Sequence, residues 1–456
     1  MPARRTSIHG EWSSKLAFIL AATGSAVGLG NIWRFPYVAG ESGGGAFVLV
    51  YLACVLTIGL PVMIAEILIG RRGRQSPINT MRTLAVEEGH SPAWQHVGLL
   101  GMAAGFIILS FYSVIAGWTL AYMVRTAAGV LQGVTAEGAR SIFADLVGDP
   151  EKLLAWHTIF MVMTIIVVSR GVQSGLEQAT KFLMPALFVL LVAMVGYAMN
   201  TGQFQHALRY LFMPDFGKIT TDVVLNAMGQ AFFSLSLGMG AIMIYGSYLS
   251  HNASIVRTAV VIVSMDTLVA LLAGLAIFPL VFQYQLEPTA GAGLIFQTLP
   301  IAFGQMPGGI WVGTAFFVLL LFAAWTSAIS LLEPAVTWLV ENHGMNRVKA
   351  TAYTGIAAWG LGILSILSLN AWSDVKVFGK GFLDLFDYLS SNVMLPIGGF
   401  LICTFAAWLM SRESTRSELG LPDGFGYRLW RFLVQFVSPV AIVLVFLNKI
   451  GLFGGS

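Results

Sequence analysis

Charge is what this chain lacks. Asp, Glu, Lys and Arg make up 10% of its 456 residues and hydrophobic residues 57%, whereas a soluble domain carries about 25% charged residues. An ordinary soluble fold is excluded, and an all-α polytopic membrane protein is predicted. Cysteine is scarce too: Cys54 and Cys403 both lie in apolar runs, which excludes a disulfide framework or thiolate metal cluster and leaves lipid or core packing. The seven histidines are scattered without metal-ligand spacing. No Ser/His/Asp set and no phosphate-cradling loop with a Lys is present, and Gly43–Gly45 is a glycine run at the edge of an apolar segment. The chain is therefore not expected to be an enzyme, and nothing in it points to nucleic acid. The short basic N-terminus with Arg4 and Arg5 leads into an apolar run too long for a cleavable signal, so none is expected.

What is there is a series of apolar runs, each near the roughly 20 residues a bilayer crossing needs. Eleven spans are predicted, at about 15–38, 43–69, 96–127, 154–170, 175–199, 223–249, 256–284, 310–340, 348–369, 382–410 and 428–450. The long connections are 128–153, 200–222 and 285–309. Basic residues collect on one side: Arg4, Arg5, Lys15, Arg71, Arg72, Arg74, Arg82, Arg170, Lys181, Arg257, Arg347, Lys349, Arg412, Arg416, Arg428 and Arg431, sixteen of the 25. By the positive-inside rule this side is cytoplasmic, so the N-terminus is expected in the cytoplasm of a cell inner (plasma) membrane.

Two spans are poor helix material. In span 1, Gly24-Ser25-Ala26-Val27-Gly28-Leu29-Gly30-Asn31 puts three glycines in its first seven residues, ahead of Ile32-Trp33-Arg34-Phe35-Pro36. In span 6, Phe232-Phe233-Ser234-Leu235-Ser236-Leu237-Gly238-Met239-Gly240 repeats the pattern. Non-helical backbone at membrane depth survives only when buried in protein or lining a cavity, so both stretches predict a binding site. The two lie five spans apart, an odd number, so two groups of five would run in inverted topology, a transporter signature. The expected division is 1–14, a cytoplasmic segment; 15–199, the first repeat; 200–222, an extracellular loop; 223–410, the second repeat; and 411–456, a cytoplasmic loop plus span 11.

The string at 24–36 resembles the first-span signature of the neurotransmitter:sodium symporters. The likeness continues through Glu41–Phe47, Gly59-Leu60-Pro61, Phe111–Trp118, Ser234–Gly240, Ala323–Ser327 and Phe382–Asp387, and so covers essentially the whole chain. It implies the leucine-transporter fold and sodium-driven uptake of an amino acid or amine by alternating access. It also implies the site. Amides of Leu29 and Gly30 with the Tyr112 hydroxyl would take a substrate carboxylate. Carbonyls of Ala26, Phe233 and Ser234 with the Ser236 hydroxyl would take the amine. Ile108, Tyr112, Phe233, Ser236, Met239 and Leu331 would line the side-chain pocket. One sodium would meet Ala26, Asn31, Ser234, Asp266 and the substrate carboxylate; a second would meet Gly24, Val27, Ala323, Thr326 and Ser327. The rival reading of Thr326 and Ser327 is back-bonding within their own helix.

Several positions refine this. Ser25 stands where monoamine carriers have a carboxylate, which favours an α-amino acid; the apolar lining favours a hydrophobic L-amino acid, and Met239 a roomy pocket. Asp266 stands where many members have Asn, and Ala270 offers no hydroxyl, so chloride independence is expected. Arg34 facing Asp387, or Asp384, would gate the outside. The family's Arg-x-x-Trp string is His9-Gly10-Glu11-Trp12 here, leaving His9, Arg5 or Arg4 as the partner of Glu341 in an inner gate. Gly175 and Pro185 resemble an element that unwinds locally, a simple kink being the alternative. Glu66 is expected to hold backbone of span 6. The expected partners are a hydrophobic L-amino acid, sodium ions and the lipid bilayer, with the protein a monomer or dimer. Proton coupling through Asp266 or Glu66, an amino-acid sensor that binds without transporting, and a channel are the alternatives.

Overall fold

A chain crossing hydrocarbon must pair its own backbone groups, and an α-helix does so within one segment. The computed structural model describes residues 5–286 and 293–452. Among these, all regular secondary structure is helical apart from one isolated bridge between Val377 and Lys380. Among the described residues, nine helices are long and apolar enough to cross a membrane: Gly45–Gly73, Pro92–Ala127, Pro150–Ser169, Val172–Ala198, Ile255–Gln283, Gly309–His343, Arg347–Leu367, Phe382–Leu409 and Phe425–Lys449. They are spans 2–5 and 7–11. Span 1 is a bent pair, Lys15–Ala26 and Gly30–Glu41, meeting at 53°. Span 6 is Thr221–Ser234 followed by Ala241–Ser247, each piece too short to cross alone.

The breaks follow from local chemistry. At Val27 the backbone turns extended (ψ 111°), and helix resumes after Leu29. Between the two pieces of span 6, Ser236, Gly238 and Gly240 take positive φ of 54°, 82° and 76°. Glycine adopts this region freely. Ser236 does so at a cost of order 1–3 kcal/mol, and its hydroxyl is held by a hydrogen bond donated to the Ser25 carbonyl, 2.8 Å away. The two breaks are thus tied to each other.

Periodicity did not reveal the π-helical turns at Val55–Gly59, Val172–Glu177, Tyr388–Met394, Phe405–Leu409 and Leu433–Val437. Each inserts a residue and rotates the helix face that follows. In span 5 such a turn contains Gly175, but the helix then runs unbroken from Gln178 to Ala198 with Pro185 inside it. The long connections are also partly helical, at Ala136–Val147, Phe204–Phe212 and Leu294–Gln305.

Span 8 is central: Ala323, Ala324, Thr326, Ala328, Ile329 and Leu332 are all buried. Spans 4, 5 and 11 turn apolar side chains outward, among them Val162, Phe182, Val189, Val192, Phe436 and Val440. In water these would form a large apolar patch; in lipid they are solvated. Spans 2 and 6 approach backbone to backbone. A Cβ on Gly70 would lie 1.9 Å from the Met243 carbonyl, and one on Gly246 would lie 2.9 Å from that of Ile67. Gly70→Ala should therefore destabilise the purified protein by about 1–3 kcal/mol through overpacking, seen as a lower melting temperature. Gly196→Ala, where an added Cβ meets nothing within 4 Å, should not.

Candidate functional site

The site is built where the two breaks face each other and spans 3, 7 and 8 close around them. The Leu29 amide donates to the Tyr112 hydroxyl at 3.4 Å. No side chain fits between: a Cβ on Gly28 would lie 2.7 Å from Ser327 Oγ and 3.1 Å from the Tyr112 hydroxyl. Gly30 lies against the Phe233 ring, with 3.3 Å from its Cβ position to Cε1. Ile108, Met239 and Leu331 are buried, while Tyr112, Phe233 and Ser236 are half-buried. Met239 and Leu331 meet at Gly105 of span 3, whose Cβ position lies 3.4 Å from the Met239 carbonyl and 3.5 Å from Leu331 Cδ2. Sequence reasoning missed Gly105, although a glycine one turn before Ile108 in an apolar helix was a visible signal.

Beside this pocket, Asn31 Nδ2 donates to Asp266 Oδ1 at 2.8 Å and to its carbonyl at 3.1 Å. The Ser234 hydroxyl stands beside the Asp266 carboxyl and lies 3.4 Å from the Tyr51 hydroxyl. Asp266 is wholly buried, and its Oδ2 has no hydrogen-bond partner. A buried carboxylate oxygen left unpaired is costly, and the surrounding donor set of hard oxygens suits a small cation. Asn31 Oδ1 takes the Gly28 amide at 3.1 Å and keeps one lone pair. Gln230, also missed, donates to the Gly30 carbonyl at 2.9 Å.

A second cluster lies between spans 1 and 8. Ser327 Oγ points to the Val27 carbonyl at 3.2 Å and the Ser25 carbonyl at 3.4 Å. A Cβ on Gly24 would lie 3.1 Å from Thr326 Cβ and from Met184 Sδ. Thr326 Oγ1 donates to the Phe322 and Ala323 carbonyls at 3.0 and 3.1 Å. That is the back-bonding geometry; it uses the hydroxyl proton and leaves the oxygen lone pairs free. Gly24, Val27, Ala323, Thr326 and Ser327 are thus gathered in one place. Ala26 and Ser25 continue the same wall, with Ser25 Oγ donating to Ser330 Oγ at 2.8 Å.

The face carrying the N-terminus is closed. Glu341 receives His9 Nε2 at 3.2 Å, the Ser76 amide at 2.8 and 3.0 Å and Asn79 Nδ2 at 2.8 Å. Of the candidate partners among the described residues, His9 is the one that reaches Glu341. Arg5 pairs with Glu87 instead, and Arg4 lies outside the described residues. Trp12 is buried edge-on against Tyr245 and Tyr248 and donates to the Tyr245 carbonyl at 3.1 Å. Arg74, which sequence reasoning read only as a loop charge, joins Glu11 at 3.0 Å and the Ser247 carbonyl at 3.1 Å.

The opposite face differs from expectation. Among the described residues Arg34 forms no ion pair with Asp387 or Asp384. Its guanidinium lies 4.4 Å from the Phe233 ring centroid, a cation–π contact, and Asp387 instead accepts from Ser391 Oγ at 2.8 Å. The start of the π turn at Tyr388 directly after Asp387 is the local irregularity that regular helical spacing does not anticipate.

Glu66 accepts the Gly238 amide at 2.6 Å inside the span 6 break. Glu66→Gln keeps an acceptor oxygen and should leave the melting temperature nearly unchanged. Glu66→Leu strands that buried amide and should cost roughly 1–3 kcal/mol. An equal loss in both variants would mean that charge, not the acceptor, is what span 6 requires.

Comparison with known proteins agrees with this arrangement. Residues 9–135 and 145–454 match the Sodium:neurotransmitter symporter family. The chain is 40% identical over 445 residues to an uncharacterised sodium-dependent transporter of Bacillus subtilis (strain 168), YhdH, covering 97% of this chain and 98% of that one. It is 23% identical over 502 residues to the sodium-dependent nutrient amino acid transporter 1 of Drosophila mojavensis, covering 96% of this chain and 75% of that protein. Its structure is similar to the crystal structure of MhsT in complex with L-phenylalanine, with a TM-score of 0.88, 42% identity and coverage of 96% of this chain and 99% of that one. The broken spans, the buried oxygen clusters and these likenesses together place the chain in the sodium:neurotransmitter symporter family, as a sodium-dependent membrane transporter and not an enzyme.

Proposed function

We propose that this protein imports hydrophobic L-amino acids together with sodium, without chloride, by alternating access. The observation that carries the reading is the adjacency of two unlike surfaces. An apolar wall of Ile108, Met239 and Leu331 stands next to freed backbone amides and the Asp266–Asn31–Ser234 oxygen cluster. A zwitterion with an apolar side chain matches both. Its carboxylate is drawn to the amides of Leu29 and Gly30 at the start of the outer helix of span 1, where the dipole favours an anion, with Tyr112 assisting. Its amine goes to the carbonyls of Ala26, Phe233 and Ser234 and to Ser236. The crystallised relative with L-phenylalanine supports an aromatic or large aliphatic side chain.

One sodium lies with Ala26, Asn31, Ser234, Asp266 and the substrate carboxylate, so each cargo stabilises the other's site. The second lies with Gly24, Val27, Ala323, Thr326 and Ser327. The Asp266 carboxylate supplies the negative charge that chloride would otherwise bring. Repeats 15–199 and 223–410 rock about the site. Arg34 with Asp387 or Asp384 closes the outside, and Trp12 with Glu341 closes the cytoplasmic face of the inner membrane.

The test is uptake of labelled L-phenylalanine into proteoliposomes under an inward sodium gradient. Uptake should follow sodium and persist when gluconate replaces chloride; loss of most transport there ends the chloride proposal. Accumulation driven by protons without sodium would favour proton coupling, and binding without accumulation would favour a sensor. Asp266→Asn should lower sodium-dependent uptake by at least about tenfold, as expected when one partner of a buried charged site is removed, with chloride then restoring part of it. Met239→Phe should weaken phenylalanine binding about tenfold or more while affecting leucine less, because pocket volume discriminates at this scale.

A further inference from the structure

The connection between spans 9 and 10 is braced at its base and bare at its tip. Asn370 Nδ2 donates to the Val147 carbonyl at 3.0 Å, and the Leu383 amide donates to Ser368 Oγ at 3.2 Å. The Trp372 ring leans on that of Phe382, with centroids 6.1 Å apart. Val377 and Lys380 exchange both backbone hydrogen bonds, at 2.9 and 3.0 Å, and Lys380 Nζ lies 4.9 Å from the Tyr388 ring centroid. These contacts enclose a two-residue turn, Phe378-Gly379, with φ of 51° and 76°.

Positive φ at both central residues is the mark of a type I′ turn, which favours Asn-Gly. Phe378 is out of place in it, because a bulky side chain at positive φ is strained. Its side chain is also 93% exposed, so packing inside the protein does not offset that strain. Val375 and Trp372, three and six residues back, are exposed as well, at 45% and 39%. A turn facing water is best served by a small polar residue at its tip. This one holds an aromatic ring rigidly away from its own fold, at a cost that an apolar surface outside the chain would offset.

The bilayer is the apolar surface within reach. Span 9, Arg347–Leu367, is 21 residues long, which makes it about 30 Å, the thickness of the hydrocarbon core. It turns Tyr353 and Ile356 outward, as a span at the edge of the bundle does in lipid. The chain therefore leaves span 9 at headgroup level, and Trp372 follows five residues later. Lys376 is exposed and stands two residues before Phe378, where an ammonium on an apolar stem can reach lipid phosphate. Aromatic rings beside a lysine are the side chains that settle at a membrane–water interface.

We propose that the connection from Trp372 to Lys380 is a membrane anchor. Phe378 and Trp372 sit among the headgroups and the upper acyl chains, Lys376 meets the phosphates, and the braced base carries this hold to the start of span 10. The anchor lies nine crossings from the N-terminus and so on the opposite face. Asp384 and Asp387 follow within nine residues of the Phe378 ring. The inference rests on the spans alone and is independent of the cargo.

The test reads depth directly. A nitroxide is attached through Val375→Cys, in a chain with Cys54 and Cys403 replaced by alanine, and the protein is reconstituted into vesicles of phosphatidylethanolamine and phosphatidylglycerol. Relaxation of the label by oxygen, which concentrates in lipid, is compared with relaxation by a water-soluble nickel chelate. Oxygen should dominate at position 375. Nickel should dominate at a reference label, Glu137→Cys, on the exposed side of the helix Ala136–Val147. Phe378→Asp should lower the oxygen-to-nickel ratio at 375 about tenfold or more, because withdrawing an aromatic ring from an apolar phase changes partitioning by at least that much. Phe378→Gly removes the ring and the strain together. It should lower the ratio too, while its melting temperature in detergent stays level or rises, which separates lost anchoring from misfolding. Nickel dominance at 375 in the parent chain overturns the proposal. Shielding from both reagents also overturns it, since a second copy or another protein surface would then cover the turn. A ratio that neither Phe378 variant changes does the same, because the ring would not be what holds the connection in lipid. A lower melting temperature in Phe378→Gly counts against the anchor as well, by showing that the ring packs within the protein.

Discussion

Unpaired backbone in hydrocarbon is the constraint from which the rest of this structure follows. The chain leaves helical geometry twice at depth, around Val27–Leu29 and Leu235–Gly240, and each break is tolerated because the protein answers it. Ser236 donates to the Ser25 carbonyl, Gln230 to the carbonyl of Gly30, and Glu66 accepts from Gly238. Not every group is answered by protein. The Val27 carbonyl meets only a long contact from Ser327, and the Leu29 amide only a 3.4 Å contact to Tyr112. The groups with the weakest internal partners are those the proposed cargo would complete.

Buried carboxylates show how the same chemistry is put to different uses. Glu66, Glu333 and Asp266 are all fully buried. Glu333 is neutralised by Arg347 and bonded by Tyr248, which makes it a structural pair. Glu66 has a backbone amide for one oxygen, which makes it a strut for a helix break. Asp266 has only neutral neighbours, the Asn31 amide that donates to it and the nearby Ser234 hydroxyl, and a free oxygen. Glu66 and Asp266 both lack a counter-charge and keep one unpartnered oxygen, a costly arrangement; Asp266 differs in being bonded to Asn31 beside the break of span 1, which makes it the carboxylate the proposed sodium would meet.

Much of this was legible in the sequence because it rests on short-range signals. Long apolar runs gave the spans to within a few residues, and the glycine clusters at 24–30 and 238–240 gave the breaks. Residues whose meaning depends on a distant partner were read less well. The partner of Glu341 stayed open between His9, Arg5 and Arg4 because the three lie within six residues of one another and the fold alone decides which reaches. The Arg34–Asp387 pair is not formed in this conformation, in which the guanidinium lies on the Phe233 face and Asp387 accepts from Ser391. Gly105 and Gln230 were missed because a glycine or glutamine in an apolar helix has many uses, and only its neighbours reveal which one applies.

The two faces of the molecule are unequally tied. On the N-terminal face Glu341 has four contacts, Arg74 two and Glu177 three, nearly all charge-assisted and shielded. On the other face Arg34 has an aromatic ring, and Asp387 has a hydroxyl on its own helix. Bonds to charged groups contribute about 1.5–3 kcal/mol each, so breaking the closed face uncompensated would exceed what thermal motion supplies. A carrier can cycle only if its two closed states are near in energy, because a ligand shifts an equilibrium by no more than its differential affinity. The compensation must come from contacts absent in this conformation, and the unpaired charges Arg34, Asp387 and Asp384 lie where such contacts can form. The looseness of one face is thus the counterpart of the tightness of the other, and the freed backbone between them is where bound cargo can tip the balance.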